Sequence, residues 1–146
     1  PFHLAVFDAD AAEAIMAQEN GVEDWYLAGH SLGGVMASSF AADQSDEVAG
    51  LIFLASYPSG DLTDVPFPVL SIYGSEDEVL NRESYAEAQG KLPDDYTEIV
   101  LDGGNHGQFG DYGPQEGDGT ASFSADQQQQ QTVEAITAFI GNSRQQ

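Results

Sequence analysis

Four short apolar segments punctuate the chain, and the stretches between them carry helical spacing. Trp25-Tyr26-Leu27-Ala28 runs up to Gly29, and Val48 to Tyr57 (VAGLIFLASY) is bounded by Pro58 and Gly60. Val69 to Tyr73 (VLSIY) lies between Pro68 and Gly74, and Tyr96 to Leu101 (YTEIVL) precedes Asp102-Gly103-Gly104. Apolar residues at consecutive positions, rather than at every second one, indicate strands covered on both faces, as in a parallel sheet flanked by helices. Asp10 with Glu13 forms a capping box for a helix through about Gln18, and residues 32–43 place Val35, Met36 and Phe40 at helical spacing. Leu80 to Gln89 reads as another helix, stopped by Gly90 and Pro93. Ser124 with Gln127 caps a last helix, in which Val133, Ile136, Phe139 and Ile140 form one apolar stripe ending at Gly141. The glutamine run from Gln127 to Gln131 is expected on that helix's solvated face. The alternation predicts an α/β three-layer sandwich with a mostly parallel sheet, as one domain over residues 1–146. Residues 103–123 hold seven glycines and no periodicity, and read as one long loop of the kind that is functional or disordered.

Composition narrows the function. The 146 residues include 25 Asp+Glu against 3 Lys+Arg, a formal net charge of −22. With Arg82, Lys91 and Arg144 as its only cations, the chain has no basic patch to neutralise phosphates, so nucleic acid and anionic membrane surfaces are excluded as partners. No apolar run is long enough for a transmembrane helix, and no basic-then-apolar leader is visible; the compartment stays open, with the cytoplasm favoured. The absence of cysteine excludes disulfides, thiolate metal sites and a cysteine nucleophile. No histidine pair has ligand spacing, and Asp111, Glu116 and Asp118 do not match a calcium loop, so no metal is expected. No cofactor is expected either, because GHSLGG lacks both the lysine of a phosphate-binding loop and the spacing of a dinucleotide fingerprint. The acid is spread along the whole chain, which reads as the surface of a halophilic protein whose self-repulsion is screened by salt.

The chemistry concentrates at three strand ends. Gly29-His30-Ser31-Leu32-Gly33 fits G-x-S-x-G where an apolar strand gives way to a helix, the place a nucleophile elbow occupies. The plainer reading is an ordinary strand-to-helix turn with a capping serine. A serine hydroxyl needs a base to take its proton and an acid to orient that base. Asp77 follows the third apolar segment in Gly74-Ser75-Glu76-Asp77, and His106 follows the fourth in Gly104-Asn105-His106-Gly107. The order Ser, Asp, His is that of the α/β-hydrolases, and all three sit at the strand edge where open α/β sheets bind ligands. His3 precedes every strand, and the His30 side chain is expected to point away from the serine, which leaves His106 as the base. Glu76 is the next candidate for the acid; Glu78 flanks Asp77, and Asp102 reads as a solvated strand-end residue.

Taken together, GHSLGG, SIYGSED and GGNHGQFGDYG resemble the carboxyl-terminal half of an α/β-hydrolase, most closely the small dienelactone-hydrolase-like, fold-5 type. PFHLAVFDADAAEAI is similar to the stretch leading into the helix before the nucleophile strand. The resemblance implies Ser31 as nucleophile, His106 as general base and then acid, Asp77 as orienting carboxylate, and the Leu32 backbone N–H as one oxyanion donor. It implies that His30, Gln108, Phe109 and Tyr112 line the substrate pocket. Only Pro58 to Phe67 separate the second and third strands, where many relatives insert a helical cap, so an open site for small or accessible esters is expected. Four strands stand where the family has about eight, and the missing ones carry the second oxyanion donor and the neighbour of the Trp25 strand. That unpaired edge is expected to be covered by a preceding segment of a longer protein or, as the less simple reading, by a second copy in a homo-oligomer. The expected activity is hydrolysis of a small-molecule carboxylic ester or lactone through an acyl-enzyme. A thioesterase or acyltransferase on the same triad, or a catalytically inactive hydrolase-like binding protein, are the alternatives.

The charge makes its own prediction: the melting temperature rises steadily between about 0.1 and 3 M salt. A melting temperature and far-UV CD spectrum unchanged over that range would remove salt adaptation as the explanation of the acid.

Overall fold

A computed structural model describes residues 11–144; Asp10, half of the expected first capping box, lies outside them. The elements run α1 (Ala11–Gln18), β1 (Tyr26–His30), α2 (Leu32–Asp43), β2 (Gly50–Leu54), β3 (Val69–Gly74), α3 (Arg82–Ala88), β4 (Tyr96–Leu101) and α4 (Ala125–Ser143). Single 3-10 turns follow α3 at Gln89–Lys91 and precede α4 at Gly107–Phe109. All four strands are parallel, in the spatial order β1-β2-β3-β4. Among the described residues no helix is long and apolar enough to cross a membrane.

The register explains why β2 and β3 are apolar on consecutive residues. On one face Leu51, Phe53 and Val69 pack with Ala41 of α2 and with Leu62 and Phe67 of the β2–β3 connection. On the other, Ile52, Leu70, Ile72 and Leu101 receive Ile136 and Phe139 of α4. The α3 helix joins the α2 face through Tyr85, whose hydroxyl bonds Ser71 (2.9 Å) and donates to Glu98 (2.7 Å). The result is the expected three layers. No helix interrupts the β2–β3 connection; it crosses with Leu62 and Phe67 buried and the Leu62 N–H bonded to the Lys91 carbonyl at 2.7 Å.

Two features of α4 depart from the pattern. Its capping box forms as expected, with the Ser124 side chain accepting from the Gln127 N–H. However, the helix continues past Gly141 to Ser143, and Val133 is 61% exposed, so the packed stripe is narrower than the four residues proposed for it. Gln128, expected on a solvated face, is fully buried (0% exposed). Its amide accepts from the Asn105 N–H (3.1 Å) and donates to the Asn105 carbonyl (2.8 Å), which a hydropathy pattern cannot reveal.

The sheet's carboxyl edge is tightened by glycine. A Cβ on Gly29 would collide with the backbone of Gly33 and Gly34, whereas one on Gly33 would meet nothing within 4 Å. The close approach of β1 to α2 therefore rests on Gly29 and Gly34, not on the second glycine of the G-x-S-x-G pattern. Gly29→Ala is expected to cost about 1–3 kcal/mol by overpacking. Gly33→Ala is expected to be neutral or stabilising by up to about 1 kcal/mol, alanine being the better helix former. Chemical denaturation of the two variants side by side tests this, and equal losses would contradict it.

Candidate active site

Three of the four strand ends, those of β1, β3 and β4, each deliver one group. Ser31 follows β1 directly with φ 52° and ψ −124°, a conformation costly for a residue with a Cβ. The strained peptide is fastened on both sides: its N–H donates to the Leu54 carbonyl (3.0 Å), and its carbonyl accepts from Ser56 Oγ (2.6 Å) and the Gly34 N–H (3.0 Å). Ser31 occupies the N-cap position of α2, yet its hydroxyl makes no capping hydrogen bond. That removes the plain capping-serine reading, since a cap stabilises only through that bond. Leu32 opens α2, so its N–H is one of the helix's orphan donors, at the positive end of the helix dipole.

Asp77 lies in the turn after β3 and is 4% exposed. Its Oδ1 accepts from the N–H groups of Val79 (2.9 Å) and Leu80 (2.8 Å), and its Oδ2 meets His106 Nδ1 at 2.8 Å. Burial alone would raise this carboxyl's pKa; the hydrogen bonds from the His106 ring and from the Leu80 and Val79 N–H groups outweigh it and hold it below the ordinary carboxylate range. Arg82 braces the same turn, donating to the carbonyls of Gly74 (3.0 Å) and Asp77 (3.2 Å) while its guanidinium lies 4.6 Å from the Tyr73 ring centre. Of the other carboxylates weighed, Glu76 bonds the Ser75 hydroxyl (3.0 Å) at the surface, and Asp102 is exposed.

His106 is 1% exposed, and its Nε2 is buried with no hydrogen-bond partner among the described residues. Ser31 and His106 line one cavity of about 250 Å³, whose walls are otherwise mainly apolar (Leu32, Val35, Val79 and Leu80) with Asn81 and Ser56 as further polar groups. No direct Ser31–His106 hydrogen bond is formed among the described residues, a loosening common before substrate binds. Such a set provides a hydroxyl, a fixed imidazole with one open nitrogen, a carboxylate behind it, and an orphan N–H. Among the described residues no three His, Asp or Glu side chains converge as metal ligands.

None of the four residues expected to line the substrate pocket borders the Ser31 cavity. The His30 ring sits beside the base rather than in the Ser31 cavity: its ring centre is 4.6 Å from that of His106, its Nδ1 bonds the Tyr112 hydroxyl, and Phe109 packs beside it. Burial, and then the electrostatic influence of the neighbouring imidazole, push the His30 imidazole below the usual histidine range. These rings cluster beside His106 and do not line the Ser31 cavity, while Gln108 borders a separate cavity of about 350 Å³ inside the long loop. Two residues near the site were not singled out from sequence as functional: Gln128, which clasps Asn105, and Asp118, which bonds the backbone of His106. The only signal for Asp118 was its place in a glycine-rich loop following the histidine.

The family model that describes the alpha/beta hydrolase family matches residues 1–130. No curated protein matches the chain by sequence. Among solved structures, the chain is similar to a CIB-like hydrolase from Thermoplasma acidophilum (21% identity, TM-score 0.59, covering 73% of this chain and 53% of that one). It is similar to the monoacylglycerol lipase of Paleococcus ferrophilus (14%, 0.58, 71% and 67%) and to Est1E from Butyrivibrio proteoclasticus (17%, 0.65, 93% and 66%). These likenesses establish the fold. The chain spans between about half and two thirds of the length of these three proteins.

The electrostatics of the buried pair leave a signature in pH. A carboxylate whose pKa is lowered on folding contributes stability that is present above its unfolded value, about 3.9, and lost as the pH falls through the folded one. The wild-type melting temperature is therefore expected to fall more steeply below about pH 4 than that of Asp77→Asn. Parallel acid limbs in the two proteins would show that the Asp77–His106 contact adds nothing to the folded state.

Proposed function

The chain belongs to the alpha/beta hydrolase family, and from that premise we propose that it is a serine hydrolase acting on a carboxylic ester or lactone. Ser31 is the nucleophile, His106 the general base and then acid, and Asp77 the carboxylate that orients the imidazole. One observation carries this reading: a strained serine with an uncapped hydroxyl and an aspartate-bound histidine with an unpartnered Nε2 line the same small cavity.

The chemistry follows from the roles. With Asp77 holding Nδ1–H, the His106 ring is kept as the tautomer whose Nε2 accepts a proton. As Ser31 Oγ attacks the carbonyl carbon, its proton passes to Nε2, and the charge that appears on His106 is stabilised by Asp77. The oxyanion forms beside the N–H of Leu32, which needs no reorganisation to donate. Collapse expels the alcohol with the proton from His106 and leaves an acyl-serine. Water, deprotonated by the same Nε2, then attacks that ester and releases the acid. A cavity of about 250 Å³ with mainly aliphatic walls suits a short acyl group.

Labelling with a fluorophosphonate probe in molar salt, read by peptide mass spectrometry, is expected to modify Ser31 in the wild type and to fail in His106→Ala. Turnover of a short-chain aryl ester is expected to fall about 10⁴–10⁶-fold in Ser31→Ala. Retention of more than about a tenth of the activity in that variant would sink the assignment.

A further inference from the structure

The loop that carries His106 is held by its own side chains. Asp118 Oδ1 accepts the N–H of His106 (3.1 Å) and of Gly119 (2.8 Å), and its Oδ2 accepts the N–H of Gly107 (2.7 Å). Hydrogen bonds to a carboxylate are roughly twice as strong as neutral ones, so this one side chain dominates the local geometry. The residue before His106 is fixed as firmly. Asn105 is clasped through its own N–H and carbonyl by Gln128, and its side-chain amide donates to the Gly119 carbonyl at 2.9 Å. Gly119 in turn packs so closely on the Glu76 carbonyl that a Cβ there would collide with it. The Asp118–Gly119 segment therefore touches both halves of the buried pair: the peptide that carries His106, and the turn that carries Asp77.

We propose that Asp118 is a positioning residue for the base: by binding the N–H groups of His106 and Gly107, it holds the imidazole so that Nδ1 meets Asp77 while Nε2 faces the Ser31 cavity. The ring is then located at two points, its backbone by Asp118 and its Nδ1 by Asp77. Neither fixes it alone: Asp118 holds only the backbone, and the single Nδ1 bond to Asp77 leaves the ring free to swing about it. The catalytic part of this inference rests on the hydrolase reading above; the structural part, that Asp118 sets the Asp77–His106 bond, stands apart from it.

Asp118→Asn is the informative variant. An amide accepts on one atom only, so either the Gly107 N–H or those of His106 and Gly119 must face an NH₂ group. For ester hydrolysis by the full chain, kcat is expected to fall about 10- to 100-fold, the effect of a displacement on the order of an ångström. KM is expected to stay within about twofold, because the substrate-facing walls are untouched. The far-downfield proton resonance of the His106–Asp77 bond, recorded by NMR well below the melting temperature, is expected to weaken or vanish. Asp118→Ala, which admits water to the freed N–H groups, carries the same comparison if the asparagine variant does not fold.

A kcat within about twofold of wild type, or an unchanged downfield resonance, overturns the proposal. So does failure of both variants to fold, which would make Asp118 a determinant of the fold and not of the base's position. If the wild type itself neither labels at Ser31 nor turns over ester, the hydrolase reading fails. The resonance then still decides the positioning role: its loss in Asp118→Asn sustains that role, and its persistence removes it.

Discussion

The site depends on how closely backbone can approach backbone at the carboxyl edge of the sheet. After β1 the chain must turn back into α2 with Gly29 lying against Gly33 and Gly34, and after β3 it must pass with Gly74 against the Gly104 carbonyl. At the second of these contacts the turns are stitched together: the Ser75 N–H bonds the Leu101 carbonyl (3.0 Å) and the Glu76 N–H bonds that of Gly104 (2.8 Å). A side chain at either glycine would push the loops apart by more than a hydrogen bond tolerates. Ser31 would then leave its strained turn, or Asp77 and His106 would lose their 2.8 Å contact.

Around these contacts the protein holds conformations that would not persist alone. Ser31 at positive φ and Asp77 buried as a carboxylate each carry a cost of order a kilocalorie or more. Both are held by hydrogen bonds: the serine peptide donates to Leu54 and accepts from Ser56, and the carboxylate bonds His106 and accepts from Val79 and Leu80 of its own turn. One of the chain's three cations is used here as well, since Arg82 ties three carbonyls of the acid turn. In a chain of net charge −22 this placement of a cation is informative: Arg82 braces backbone and forms no bridge to a carboxylate among the described residues.

Much of this was legible beforehand. The strand β4 and the helix α2 fall on the residues their patterns indicated, Tyr96–Leu101 and Leu32–Asp43, because clear turn and capping residues bound both. The order Ser31, Asp77, His106 was readable because each follows a strand, and a parallel sheet puts every such position on one edge. What was misread has a common cause. Gln128 and Val133 were judged by side-chain type and local period, yet their surroundings are set by the tertiary fold, which buries Gln128 against Asn105 and leaves Val133 in solvent.

The sequence by itself determined the layers, the parallel sheet and the edge on which the chemistry gathers, since these follow from hydrophobic period, capping residues and chain order. Tertiary structure alone decided which glycines are sterically required, what surrounds the rings beside the base, and what holds the loop that bears it. Period and propensity act over a few residues. The contacts of Asp118 with His106, of Gln128 with Asn105 and of Gly74 with Gly104 span 12, 23 and 30 positions, so they come into being only once the sheet has brought those positions together.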